Sequence, residues 1–257
     1  MVRDGLAEYS FSQMQTGHFY LPVVGETFDG WLNGMEGPHL TREHIWEAIQ
    51  NARSGSVDEG NVGGGTGMIC HDFKGGIGTS SRIVSVGQET YTVGALVQAN
   101  YGDRQQLRVD GVPVGREIGF DKVPSPWEVS PQAGSIIIVV ATDAPLLPMQ
   151  CKRLAQRATG GLARVGGMGH NSSGDLFLAF ATGNHILAHA DGLIPLTGML
   201  PHSLLNPFFD ATVEAVEESI LNALVAAETM TGAEGHTAYA LPLDELNRIM
   251  ARYRPVS

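Results

Sequence analysis

The chain has 257 residues, enough for one large domain or two small ones. Its hydrophobic content of 43% supplies a core, and its net charge of −11 argues against nucleic acid or an anionic membrane as a partner. Cys70 and Cys151 stand in apolar contexts, so we expect two small buried residues rather than a disulfide framework.

Targeting segments are not expected. The first residues contain no long apolar stretch, so we predict no signal peptide and a cytoplasmic location. No segment of the sequence approaches the roughly 18 consecutive apolar residues that a membrane helix needs, so we expect no membrane partner.

The amino-terminal part is predicted as short elements separated by loops. Residues 1–20 are weakly patterned, and residues 21–24 predict a short strand that runs into a loop rich in polar and aromatic side chains. Thr41 is a plausible cap for a helix through about Arg53. Residues 68–73 predict a further strand.

Two glycine-rich turns, at 61–67 and 74–81, flank that strand. The first resembles a phosphate cradle, but it lacks the Lys-Ser/Thr ending of a P-loop and no clear strand precedes it. Nucleotide binding therefore stays a minor alternative. Residues 82–87 and 90–100 are predicted to pair as a hairpin.

Residues 101–133 form a long polar segment with four prolines, which predicts a surface loop. It ends at Gly134-Ser135, immediately before the most apolar run of the chain, 136–141, which predicts a strand buried on both faces. A serine at the mouth of such a strand is held rigidly, where a nucleophile would be placed and where a cut would give it a free amine. The alternative is a Gly-Ser turn that leads into a core strand.

The carboxyl-terminal half predicts helices alternating with strands, so layered sheets with packed helices are the economical architecture. The predicted elements are a helix from Pro148 to about Thr159 closed by Gly160-Gly161, strands at 173–182 and 184–190, a helix from Asn206 as its cap to about Met230, and a helix at 243–253.

Ser135, Ser173, Asp175 and Asn100 form the best candidate constellation. A serine hydroxyl needs a base to take its proton, and in an N-terminal serine the α-amine does so because its ordinary pKa lies near neutrality. We expect Ser173 to relay or orient, and Asp175 to project from the same strand face. Asn100, at a strand end, is a candidate donor to an oxyanion.

Metal catalysis is not expected. The only near pairs of histidines are His39 with His44 and His185 with His189, and no acidic base accompanies either as it does on a zinc protease helix. We therefore predict neither a metal nor another cofactor.

Several segments together resemble the DmpA/BapA family of L-aminopeptidase/D-alanine esterase-amidases and β-peptidyl aminopeptidases. The resemblance covers nearly the whole chain in the right order. The matching segments are 21–33, 59–68, 73–82, 97–102, 134–148, 171–180 and 226–232.

The resemblance implies an α+β protein with the αββα sandwich of N-terminal-nucleophile hydrolases. It implies a single domain, 1–257, made as a precursor that cuts itself between Gly134 and Ser135 into an α-chain part, 1–134, and a β-chain part, 135–257. Residues 2–6 resemble an internal family segment, so we expect the family's amino-terminal strands to be missing from this chain.

The resemblance also implies roles for residues. Ser135 is the nucleophile, Ser173 and Asp175 orient it, and Asn100 is the oxyanion asparagine. In the substrate-binding part, Glu26 matches the glutamate that receives the substrate's ammonium group. Phe28 stands where many members have tyrosine, so one hydroxyl donor is expected to be missing.

The implied activity is a serine aminopeptidase or amidase. It would act on small peptides or aminoacyl amides and esters without a cofactor, as a homo-oligomer of processed units. The alternative is a truncated, unprocessed relative that is not catalytic and serves as an oligomeric or ligand-binding protein.

Overall fold

The computed structural model describes residues 2–13, 22–37, 39–127, 134–185, 192–196 and 198–254. Its helices are α1 (Val2–Gln13), α2 (Arg42–Gln50), α3 (Val114–Glu117), α4 (Pro148–Val165), α5 (Asn206–Val225) and α6 (Leu243–Tyr253). Its strands are β1 (Ile69–Cys70), β2 (Phe73–Lys74), β3 (Gly76–Val86), β4 (Glu89–Asn100), β5 (Ser135–Thr142), β6 (Leu176–Ala181), β7 (Met230–Thr231) and β8 (Thr237–Ala238).

A four-stranded sheet in the order β3-β4-β5-β6 organises the fold. β3, β4 and β5 are antiparallel neighbours, whereas β5 and β6 are parallel. A parallel pair needs a crossover, and α4 supplies it. Helices packed on a mixed sheet confirm the predicted α+β class.

Strand β5 is buried on one face only, so the prediction of burial on both faces is wrong for the described residues. Ile136 and Ile138 are fully buried on the face that α4 and α5 cover, whereas Ile137 is only partly buried on the opposite face. On that open face Leu176 is 53% and Phe180 is 46% exposed. The described residues thus provide one helix-covered sheet of the expected sandwich, with an apolar face where a second sheet would pack.

The glycine pair Gly160-Gly161 lies inside α4 and does not close it. A Cβ at Gly161 would lie 2.6 Å from the carbonyl oxygen of Val213 and 2.7 Å from Cβ of Val216, so the bare backbone lets α4 and α5 approach closely. The helix ends instead at Gly166, whose φ of 107° suits glycine.

The segment 101–127 is structured rather than a plain surface loop. It contains a 3-10 turn at Arg104–Gln106 and the short helix α3, and it buries Leu107 and Ile118. Proline content misled the prediction, because apolar residues between the prolines anchor the segment to the core. Residues 128–133 lie outside the described part.

Other boundaries also differ. Residues 1–20 had no clear pattern, yet Val2–Gln13 is helical, and residues 22–24 are not a strand. The predicted strand at 68–73 is divided into β1 and β2 by a turn. Leu205 rather than Asn206 caps α5, which ends at Val225. The predicted strand at 184–190 lies mostly outside the described residues.

Several predictions are confirmed by the described residues. Thr41 caps α2, which ends at Gln50 rather than at about Arg53, and α6 spans Leu243–Tyr253. β3 and β4 form the predicted hairpin, but β3 begins at Gly76, so most of the segment predicted as a glycine-rich turn at 74–81 is strand, because its backbone pairs with β4 as far as Ala99. Both cysteines are buried and free.

Candidate active site

Ser135 and Asn100 lie directly opposite each other at the end of the sheet, as register partners of β5 and β4. Residues paired in this way project from the same face of a sheet. That face is the open one, because the neighbouring pair Ala99 and Ile136 is fully buried on the helix-covered side. The pairing therefore places a hydroxyl and a carboxamide side by side.

The strand predicted at 173–182 begins only at Leu176, so Ser173 and Asp175 lie in the turn before β6 and not on its face. Both residues are at the end of the sheet where β5 begins. The Ser173 hydroxyl donates to Oδ1 of Asp175 at 2.6 Å. The N–H of Gly174, between them, donates to the carbonyl oxygen of Gly134 at 3.0 Å. A Cβ on Gly174 would lie 3.4 Å from Cβ of Ser135, so this turn packs against the serine.

Both ends of the Asn100 carboxamide are held. Its Oδ1 accepts the N–H of Ile69 at 2.8 Å, and its Nδ2 donates to the carbonyl oxygen of Phe28 at 2.9 Å. These partners fix which end of the amide is nitrogen. Nδ2 carries a second hydrogen for which the described residues provide no acceptor, and Asn100 is among the residues that line the cavity.

Phe28 and Glu26 belong to a segment that runs across the open sheet face. A Cβ on Gly25 would lie 3.1 Å from Cδ1 of Ile137, and buried Thr27 accepts a hydrogen bond from Gln98 at 2.7 Å. The Phe28 ring is 67% exposed and lines the cavity, so it is not core packing. Glu26 is exposed and is not part of the described cavity lining.

A cavity of about 600 Å³ adjoins the Gly134-Ser135 bond. Two carboxylates, Asp72 and Asp103, contribute to its described lining, and no lysine or arginine does. The sequence analysis gave these walls no role, because they come from segments far apart in the chain. The lining residues that it missed include Trp31, Asp72, Tyr101, Trp127 and His170.

Hydrogen bonds hold both carboxylate oxygens of Asp72 in this cavity. Its Oδ1 accepts the indole N–H of Trp127 at 2.8 Å and its Oδ2 accepts the backbone N–H of Arg104 at 2.9 Å. Burial raises the pKa of Asp72 above its ordinary value, although these donors oppose the rise. The ring centroids of Trp127 and Trp31 are 5.2 Å apart. The His236 ring stacks on Trp31, with 3.6 Å between their centroids.

The glycine cluster at 61–67 and the nearby Lys74 do not form a phosphate-binding loop. Lys74 is fully buried and its ammonium donates to the carbonyl oxygens of Gly65, Met68 and Gly75. A side chain used in this way does not contact a phosphate.

The histidine pairs do not assemble into a metal site. Nδ1 of His44 accepts a hydrogen bond from the backbone N–H of Thr41 at 3.1 Å. His189 lies outside the described residues. In the described part of the chain, no three histidine, cysteine or acidic residues come together as candidate ligands.

None of the described helices has the length and apolar character needed to cross a membrane.

Solved structures share this fold along the entire chain. A β-aminopeptidase of a Burkholderia species matches with a TM-score of 0.89 and 47% identity, covering 100% of this chain and 71% of its own. The L-aminopeptidase D-Ala-esterase/amidase of Ochrobactrum anthropi, a prototype of the serine aminopeptidases, matches with a TM-score of 0.89, 39% identity and the same coverage. That structure is a variant of the N-terminal-nucleophile hydrolase fold, and the present chain has this fold.

Sequence comparison names the family. The model of peptidase family S58 matches residues 1–238, so the chain belongs to that family of hydrolases acting on peptide bonds. The β-peptidyl aminopeptidase BapA of Sphingosinicella microcystinivorans is 46% identical over 264 residues, covering 99% of this chain. The chain spans 67% of the length of that relative and 65% of BapA from Sphingosinicella xenopeptidilytica.

Proposed function

We propose that the protein is a self-processing serine aminopeptidase or amidase with Ser135 as its N-terminal nucleophile. The observation that carries the proposal is the register pairing of Ser135 with Asn100, with the Ser173–Asp175 hydrogen bond at the same sheet edge. Family membership supports the reaction class, and the geometry supports the assignment of residues.

Self-cleavage would begin with attack of the Ser135 hydroxyl on the carbonyl carbon of Gly134. The C–N bond breaks, the proton passes to the released nitrogen, and Gly134 is left esterified to Oγ of Ser135. Water then hydrolyses the ester to give a Gly134 carboxylate and a serine with a free α-amine. The Gly174 N–H, already bonded to the Gly134 oxygen, would stabilise the developing negative charge.

In the processed enzyme the α-amine of Ser135 would act as the general base. It takes the hydroxyl proton as Oγ attacks the substrate carbonyl, and returns it to the nitrogen or oxygen that leaves. Water then hydrolyses the ester left on Oγ, which releases the acyl part as a carboxylic acid and restores the Ser135 hydroxyl. The remaining hydrogen of Asn100 Nδ2 would donate to the oxyanion. Ser173, held by Asp175, would orient the amine and the hydroxyl.

Small peptides and aminoacyl amides or esters are the proposed substrates. The relatives are described as β-peptidyl aminopeptidase and as L-aminopeptidase D-Ala-esterase/amidase, so a free amine beside the scissile bond is the shared feature. Glu26, on the segment that carries Phe28, would receive this ammonium group. The acidic cavity without a described lysine or arginine suits a cationic substrate.

Paired substrates test the proposal. The purified protein should hydrolyse an aminoacyl p-nitroanilide with a free amine at least about tenfold faster than its N-acetyl counterpart, because an unpaired charged partner is costly. Glu26→Gln should remove most of this preference by raising KM for the free amine. Equal rates on both substrates would contradict the role of Glu26, and no hydrolysis of either would favour the non-catalytic alternative.

Assembly and location are also proposals. We propose that processed units associate into a homo-oligomer in the cytoplasm, and light scattering of the purified protein would give the subunit number.

A further inference from the structure

Lys74 is an unusual buried cation. Its side chain is 0% exposed, and its three ammonium hydrogens meet three carbonyl oxygens, those of Gly65 at 3.0 Å, Met68 at 2.9 Å and Gly75 at 2.7 Å. No described carboxylate forms a salt bridge with it. Buried lysines are ordinarily paired with an acid, so a lysine satisfied only by carbonyl dipoles leaves its positive charge uncompensated.

One of these contacts leads to the active site. The Met68 carbonyl that accepts from Lys74 belongs to the same peptide unit as the Ile69 N–H, which donates to Oδ1 of Asn100 at 2.8 Å. The carboxamide of Asn100 in turn donates through Nδ2. An unbroken chain therefore joins the ammonium, the Met68–Ile69 peptide and the Asn100 amide.

Each member of such a chain polarises the next. The ammonium draws electron density toward the Met68 oxygen, which makes the Ile69 N–H a stronger donor. That N–H draws density toward Oδ1 of Asn100, which makes the Nδ2 hydrogens more positive. The same contacts hold the amide in one orientation, with Oδ1 on the Ile69 N–H and Nδ2 on the carbonyl oxygen of Phe28, in a residue that lines the cavity.

We propose that Lys74 is a positioning residue that orients and polarises Asn100 as the oxyanion donor. The inference rests on the proposed function of Asn100. It also gives a role to the glycine-rich segment 61–67, which supplies the Gly65 carbonyl to the ammonium and leads directly into Met68. Gly65 has to be glycine, since a Cβ there would lie 2.9 Å from the carbonyl carbon of Gly76.

Burial of the charge is consistent with this role. Desolvation lowers the pKa of Lys74 from 10.5 to about 8, so the buried ammonium disfavours folding near neutral pH relative to an exposed lysine. A cation kept in the interior at this cost is a candidate for a functional group.

The test is a double-mutant cycle between Lys74→Met and Asn100→Ala, with turnover measured on an aminoacyl p-nitroanilide. One oxyanion donor contributes on the order of a hundredfold to kcat, so losing its polarisation should lower kcat about tenfold with KM little changed. In the Asn100→Ala background the same lysine substitution should have almost no effect. Lys152→Met, at an exposed position of α4, is the matched control and should keep full kcat.

Two further measurements keep the inference falsifiable if Lys74→Met does not fold. Lys74→Gln removes the charge but keeps two N–H donors for the loop carbonyls. In the uncut Ser135→Ala protein, the side-chain ¹H and ¹⁵N resonances of Asn100 should move upfield when Lys74 is neutralised, because the amide is less polarised. Unchanged resonances would overturn the inference.

The kinetic outcomes separate the two proposals. Equal loss of kcat from Lys74→Met in both backgrounds would overturn the role of Lys74 while leaving Asn100 intact as the donor. An Asn100→Ala variant with full kcat would instead overturn the assignment of Asn100, and the inference with it.

Discussion

The N–H of Gly174 donates to the carbonyl oxygen of Gly134 at 3.0 Å, across the edge where β5 and β6 begin. This contact holds the carbonyl that the Ser135 hydroxyl is proposed to attack. It also ties the turn carrying Ser173 and Asp175 to the proposed cleavage site. One hydrogen bond thus joins the peptide proposed to be cleaved to the turn that carries Ser173 and Asp175.

The fit around Gly134 predicts that its substitution slows self-cleavage. A Cβ there would lie 3.1 Å from Cα of Tyr101 and 3.3 Å from the carbonyl oxygen of Asn100, so the peptide must shift relative to the Gly174 N–H. Gly134→Ala should therefore cleave about tenfold more slowly, since misplacement by a fraction of an ångström weakens oxyanion stabilisation. Gel densitometry during expression and incubation measures the rate.

Gly34→Ala is the matched control, because a Cβ at Gly34 meets nothing within 4 Å. Processing of Gly134→Ala at the rate of Gly34→Ala would show that the packing of Gly134 has no part in cleavage.

Replacing Phe28 by tyrosine is expected to raise activity. If a tyrosine hydroxyl supplies an oxyanion donor at this position, Phe28→Tyr should raise kcat by up to about a hundredfold with KM little changed. The stability penalty of a buried, unpaired hydroxyl does not apply, because the ring is 67% exposed. Turnover and melting temperature should be measured on one preparation. An unchanged kcat at an unchanged melting temperature would remove Phe28 from the oxyanion account.

Because His71 is buried, we expect the free energy of unfolding to depend on pH. It is fully buried, and burial lowers its pKa from 6.5 to about 4. Between these values the unfolded chain binds a proton that the folded protein does not, so stability falls as pH falls from about 6.5 to 4. Across this pH range the free energy of unfolding falls by about 3 kcal/mol through this one group.

Urea unfolding at pH 7.5 and pH 5 measures this contribution. His71→Asn is the comparison, because asparagine tolerates the φ of 51° at this position and does not titrate in this range. The wild-type protein should lose more stability than the variant between the two pH values. Equal losses would contradict a buried neutral His71.

Local signals in the sequence predicted much of the fold. Thr41 marked a helix start through its capping chemistry, and the β-branched run after Ser135 marked a central strand. Gly160-Gly161 misled the prediction, since glycine serves either as a helix stop or as a close contact between helices. Only the position of α5 decides between these two uses.

The site was predicted less evenly. Ser135, Asn100, Ser173 and Asp175 carry motif signals, and the structure brings them to one sheet edge. The cavity walls could not be predicted, because Asp72, Trp31 and Trp127 meet only through tertiary packing. Lys74 was equally invisible, since its role depends on which carbonyls surround it.

Intact mass of the purified protein tests the central claim most directly. The proposal predicts two fragments that meet between Gly134 and Ser135 and together account for the 27.4 kDa chain plus one water. Ser135→Ala should give a single uncut chain with no turnover, while Ser56→Ala, at an exposed position, should be cut as the wild type is. A single uncut mass for the wild-type protein, or the same two fragments from Ser135→Ala, would contradict Ser135 as the nucleophile of self-processing.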